Sequence, residues 1–443
     1  MLERLGHVIH RRAWLVLAAA ALFLALAVAS LVRGGPLTSA TIDGLEAGEA
    51  DALAASITGH PVATTLVVHF RSADLEPSGS AFGEAVAQAL APLAHDARVL
   101  SVLAPRDAPS PLRERMLAPR AHAAFALVTL AGDFTSARAA YAGVRQQVRS
   151  DRLAVTFTGQ VAYMHDLDGT LEKDLILAEL VSLPLALLVL LFVFRTAVAA
   201  ALPVGVGALA VLCGVAVVLA LSHTTELAQY TINICSLIGL GVAIDYSLFT
   251  VSRYREELAA GHGYADALAH TMARAGRVVA FSGVAVATGL SGLFFFRGSF
   301  LFAMGVGGAI VVAFAVLFAL TVLPALLAVL GPRIHAGRLP VPASWTGLSE
   351  GAWHRMALWV MKRPLAVLAP TLALLLAFGA PFTHLRLAAA DVRVLPADVE
   401  ARQAWDRMAA DFPDETAAHA DVVVTFPSGP ALNEARIRTL FDL

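Results

Sequence analysis

Seven apolar runs, each about as long as a bilayer is thick, constrain this chain more than any other feature. They occupy residues 13–32, 175–194, 197–221, 231–251, 278–296, 300–330 and 364–383. Charged residues make up 15% of the sequence and hydrophobic ones 58%, against about 25% charged in ordinary globular domains. Mean hydropathy is +0.71. The expected class is a multi-pass α-helical membrane protein. A net charge of −2 offers no basic surface for nucleic acid. The first run is longer than the apolar core of a signal peptide and lacks a small-residue cleavage site, so it reads as a retained span.

Basic residues set the expected topology. Arg4, Arg11, Arg12, Arg195, Arg253, Arg255, Arg274, Arg277, Arg333 and Arg338 all fall on one side of a six-span arrangement. The loop between the third and fourth spans has no Lys or Arg, and that between the fifth and sixth has only Arg297. The positive-inside rule then puts residues 1–12, an amphipathic segment at 252–277 and a linker at 331–363 in the cytoplasm. Residues 33–174 must lie on the far side, between the first and second spans. That region alternates strand-like and helical patterns: strands near 64–70, 98–102, 121–130 and 153–159, with helices near 81–93 and 134–148. The order β-α-β-β-α-β is the split βαβ pattern of ferredoxin-like domains.

A second polar region begins at residue 384. Arg363-Pro364-Leu365-Ala366-Val367-Leu368 is similar to Arg12-Ala13-Trp14-Leu15-Val16-Leu17, and Asp421–Phe426 is similar to Thr65–Phe70. The two copies run in the same direction, as a parallel repeat does in some transporters. A full second copy would need roughly 260 residues more than the chain has, on that parity. The sequence is therefore expected to be a fragment of a longer protein.

The fourth run carries Asp245-Tyr246 deep inside apolar surroundings. A carboxylate at bilayer depth costs roughly 2.5–3.5 kcal/mol on insertion scales, and the default reading is a proton or ion relay. Gly241 lies one turn before Asp245 on the same face and would let another helix approach. Ser282 on the fifth span is the best candidate to hydrogen-bond Asp245 or Tyr246 across helices. Thr288 and Ser291 are weaker candidates of the same kind, since a membrane hydroxyl often bonds back to its own helix. Arg253, Arg255, Glu256 and Glu257 read as a solvated helix end. Asp166, Asp168, Glu172 and Asp174 read as a polar membrane boundary.

The run Gly239-Leu240-Gly241-Val242-Ala243-Ile244-Asp245-Tyr246-Ser247-Leu248-Phe249, followed by Ser252-Arg253-Tyr254-Arg255-Glu256-Glu257-Leu258, closely resembles the fourth-helix signature of MmpL-type transporters of the resistance–nodulation–division (RND) superfamily. Thr158-Gly159, Gly276–Gly283 and Leu323-Pro324-Ala325-Leu326-Leu327 fit the same family. The resemblance covers essentially the whole chain. It implies an RND-type helix bundle with a porter-type extracytoplasmic domain, in an inner-membrane exporter of lipids or other hydrophobic compounds driven by protons. It also implies that Asp245 and Tyr246 carry those protons, opposite a matching Asp-Tyr helix in the C-terminal half, and that further envelope proteins take part.

Other chemistry is not indicated. Cys213 and Cys235 form no CxxC or metal pattern, and His69 and His122 show no paired ligand spacing. There is no Gly-x-Ser-x-Gly elbow and no phosphate loop. Neither an enzyme nor a cofactor or resident metal is expected; the coupling ion would be the proton. The competing readings are a non-transporting sensor or scaffold built on the same six-helix module, and an inactive transporter fragment.

Overall fold

The computed structural model describes residues 1–37, 46–61, 64–225, 227–296, 299–338, 355–384 and 391–416. Arg297, part of the 331–363 linker and the strand expected at 421–426 lie outside the described residues.

In chain order the elements begin with α1 (Leu2–Arg11), α2 (Ala13–Arg33) and α3 (Glu46–Thr58). A mixed segment follows: β1 (Thr65–Arg71), α4 (Ser80–Leu90), β2 (Val99–Leu103), α5 (Ser110–Arg115), β3 (Leu117–Ala118), β4 (Ala123–Leu130), α6 (Phe134–Gln147) and β5 (Ala154–Thr158). The helical block is α7 (Gln160–Phe194), α8 (Ala197–Leu221), α9 (Tyr230–Ala259), α10 (Tyr264–Thr271), α11 (Arg277–Ser291), α12 (Phe300–Leu320) and α13 (Val322–Leu330). Then come α14 (355–362), α15 (Pro364–Gly379), α16 (Glu400–Asp411) and α17 (Pro413–Thr416). Among the described residues, seven helical stretches are long and apolar enough to cross a membrane.

The chain divides into two compact units. One contains Met1–Thr41 and Ile176–Ala389; the other contains Ile42–Leu175 and Ala390–Leu443. In the first unit α12 and α13 form the centre: Val311, Ala315, Ala319, Leu323, Ala325 and Leu327 are fully buried, whereas α2 leaves Trp14, Leu15, Leu22 and Leu26 exposed. Glycines let the neighbours close in. A Cβ at Gly239 of α9 would overlap Val311 of α12, and one at Gly283 of α11 would overlap Val316 of α12. So α9 and α11 both seat against α12. The sixth apolar run, which reads as one span, breaks at Thr321. Pro324 has no amide hydrogen and its ring clashes with the carbonyl four residues back, at Leu320, where α12 ends. α1 lies on α10, with Gly6 close against Ala269.

In the second unit the strands form an antiparallel sheet in the order β2-β4-β1-β5, with β3 pairing on β4. Alternation along β1 sorts its side chains. Leu66, Val68 and Phe70 join Phe82 and Val86 of α4 and Tyr141 and Val144 of α6 in one core. On the opposite face Val67 packs with Phe125, Leu127 and, from α16, Met408, beside Phe412. Residues 391–416, which read in sequence as the start of a second domain, thus pack in the same unit as the sheet. The face bearing Val67 and Phe125 is apolar, and α16 covers it. Arg145 pairs with Glu400, and Arg115 with Glu415 at 2.6 Å. Asp166 accepts from the Ala401 amide at 2.9 Å, and Asp168 pairs with Arg138 at 3.0 Å. These two aspartates are on α7, which is already helical from Gln160, earlier than the apolar run alone indicates.

Candidate functional site

α9 is 30 residues long, about 45 Å at 1.5 Å per residue, and Asp245 and Tyr246 sit near its middle. One face, with Cys235, Gly239, Ala243, Tyr246, Ser247, Thr250 and Tyr254, is buried. Neighbouring residues on a helix project about 100° apart. Tyr246 therefore turns inward, while Asp245 lies on an exposed stripe with Leu237, Gly241 and Phe249, repeating every four residues.

The Tyr246 hydroxyl donates to Ser282 Oγ of α11 at 3.3 Å. The two glycine notches against α12 account for this approach, because they bring α9 and α11 onto one neighbour. Thr250 Oγ1 donates back to the Tyr246 carbonyl at 2.9 Å, and Ser247 Oγ is buried with no hydrogen-bond partner among the described residues.

The structure places the remaining candidates as follows. Gly241 has open space where its Cβ would be, so no helix closes on it among the described residues; the close-approach glycine is Gly239. Thr288 is exposed and bonds back to the Val284 carbonyl at 2.8 Å, away from Tyr246, and Ser291 bonds back to Thr288 at 2.7 Å.

Sequence reasoning missed Glu179. It lies on α7 within the second apolar run, and its carboxylate accepts a hydrogen bond from Ser236 Oγ of α9. A glutamate inside an apolar run was the available signal. The solvated-end reading of Glu257 also fails: it is buried, with contacts to Arg253, Arg274, His262 and His270. Arg255, in contrast, donates to the Phe194 carbonyl at 2.6 Å and lies over the Phe194 ring, closing the end of α7. His69, on β1 of the other unit, contacts Asp411 at 3.0 Å.

A bundle of helices long and apolar enough to cross a bilayer, one carrying an adjacent aspartate and tyrosine at its middle, defines a multi-pass membrane protein. The model of the MMPL family matches residues 47–367, and the chain belongs to that family. It is 38% identical over 267 residues to the membrane protein SCO6666 of Streptomyces coelicolor, covering 60% of this chain and 37% of that one. It is 32% identical over 298 residues to the trehalose monomycolate exporter MmpL3 of Mycolicibacterium smegmatis, covering 61% and 29%. It is 34% identical over 274 residues to the mycolic acid-containing lipids exporter MmpL11 of the same organism, covering 61% and 28%. The matched part thus spans well under half the length of these curated relatives.

Proposed function

We propose that this chain is part of a proton-driven exporter of lipids or other hydrophobic compounds, with Asp245 and Tyr246 as the proton relay. One observation carries the reading: Asp245 stands in mid-span beside a tyrosine whose hydroxyl is hydrogen-bonded to Ser282 on a different helix. The relatives named as lipid exporters support the substrate class.

In this reading the Asp245 carboxyl alternates between neutral and ionised forms. The charged form is costly in the hydrocarbon layer and draws polar groups towards it. Tyr246 and Ser282 link α9 to α11, so a change at Asp245 is felt where the helices meet. The exposed stripe of Leu237, Gly241, Asp245 and Phe249 is the face on which a second Asp-Tyr helix would pack. These 443 residues hold one Asp-Tyr pair, so that helix would come from further sequence or another chain. The arginine distribution supports an inner-membrane protein with a cytoplasmic N-terminus. The β-α-β-β-α-β unit would then be the ferredoxin-like, porter-type domain on the outer side.

The test is Asp245→Asn in the intact transporter, reconstituted into liposomes with a pH gradient. Proton flux and lipid export are expected to be lost together. Wild-type levels of both would end the relay assignment.

A further inference from the structure

Glu257, His262 and His270 converge at the end of α9, twelve residues after Asp245. His262 Nδ1 lies 3.2 Å from Glu257 Oε2, and His270 Nδ1 lies 3.3 Å from the same oxygen. The three atoms are all within 4.8 Å of one another. The rings stand edge to face, with centroids 4.7 Å apart. A cavity of about 300 Å³ opens beside them.

We propose that these three side chains form a binding site for a divalent transition-metal ion of the zinc class. Two imidazoles and one carboxylate are a recurrent zinc donor set, with a fourth position left for water. Ligand distances of about 2.0–2.1 Å in a tetrahedron put donor atoms about 3.3 Å apart. The two histidine–carboxylate separations already have that value, and rotation of the half-exposed rings closes the third. His262 Nδ1 also lies 3.1 Å from the Glu257 carbonyl oxygen, a contact that coordination through Nδ1, with the imidazole proton on Nε2, would replace.

The carboxylate is held in place by its other oxygen. Glu257 Oε1 is bonded to Arg253 and lies 3.3 Å from Arg274. Arg253 also pairs with Glu256 at 2.7 Å. Two arginines and two glutamates balance in charge, so affinity comes mainly from the imidazoles. The ion would fasten the loop carrying His262, and α10, to the end of α9. The proposal does not depend on the transport reading.

The full chain is purified in detergent without a polyhistidine tag, stripped with chelator, and titrated with Zn²⁺ against a chromophoric competitor. One Zn²⁺ per chain is expected, with Mg²⁺ a poor competitor, and Co²⁺ should give the visible absorption of a low-coordinate site. His262→Ala and His270→Ala should each weaken binding by about tenfold or more, the scale on which even supporting groups of a metal site act. His223→Ala, at the other end of α9, should change nothing. His262→Gln, on a loop residue, with an unchanged size-exclusion profile guards against misfolding. Absence of stoichiometric Zn²⁺ binding, or binding that survives both alanine variants, overturns the proposal.

Discussion

The Tyr246 hydroxyl donates to Ser282 Oγ at 3.3 Å across α9 and α11, while Asp245, one residue earlier, faces the open side of the same helix. The pair thus joins a packed interior to an uncovered face. If it passes protons, its value is in transport more than in stability. Interhelical hydrogen bonds in membranes average only about 0.6 kcal/mol. Positioned proton-transfer groups contribute on the order of 10²–10⁴-fold in rate. Ser282→Ala and Tyr246→Phe should leave the melting temperature in detergent close to wild type while cutting proton-coupled transport by roughly tenfold or more. The double variant should be little worse than either single one, since both remove the same link. Additive losses would show that the two side chains act separately.

Gly239 and Gly241 should part company. A methyl at 239 meets Val311 of the central helix. Overpacking of this kind typically costs about 1–3 kcal/mol, so Gly239→Ala should lower the melting temperature. A methyl at 241 meets nothing among the described residues, and alanine favours helix over glycine by about 1 kcal/mol. Gly241→Ala should therefore be neutral or stabilising for this chain. In an intact transporter the same change should impair export if a partner helix seats on that face. Thermal unfolding and export assays on both variants check this.

The contrast shows what the sequence could and could not tell. Apolar length located the long helices, because a bilayer imposes one length scale: α8 runs Ala197–Leu221 as expected, whereas α7 already begins at Gln160 and the sixth run breaks at Thr321. β-Branched content marked β1, found at Thr65–Arg71 against 64–70 expected. The cost of a charge in lipid singled out Asp245. Which glycine meets a neighbour depends on the azimuth of α9 relative to α12, and no periodicity in an almost wholly apolar helix fixes that angle. Ser282 and Thr288 look alike in sequence, and only the path of α11 separates the one that meets Tyr246 from the one that bonds to its own helix. The link from α16 back to the sheet joins residues 342 positions apart, His69 and Asp411. Local patterns carry no signal for such a contact.

That link has its own pH signature. Burial holds the His69 imidazole below its ordinary value of 6.5, outweighing the opposite pull of the Asp411 carboxylate. A histidine depressed on folding binds its proton more readily in the unfolded chain. Its contribution is therefore complete above about pH 6.5 and is lost as pH falls through the depressed folded value. Hydrogen-exchange protection of β1 and α16 should decline on acidification from pH 7.5 to 5, as flagged by that window. His69→Phe should flatten the decline. Protection that rises on acidification would mean that Asp411 stabilises the imidazolium instead.

Glu179 and Ser236 give the most direct test of polar pairing within the spans. The Ser236 hydroxyl is the donor and the Glu179 carboxylate the acceptor, between α7 and α9. Both side chains are half-buried. Removing the hydroxyl leaves a carboxylate at membrane depth without that partner. Ser236→Ala should cost about 1.5 kcal/mol, the low end for hydrogen bonds to charged groups. Glu179→Gln should cost less, because the amide oxygen still accepts. The double change Glu179→Leu with Ser236→Ala should recover most of the loss, since replacing both partners with apolar groups leaves nothing unpaired. Thermal unfolding of the four proteins in one detergent measures all three steps. A double variant less stable than Ser236→Ala alone would show that the carboxylate is held by other groups as well. Transport by Glu179→Gln then separates the roles: wild-type export at reduced stability would make Glu179 a packing residue, and lost export at full stability would make it a candidate transport residue.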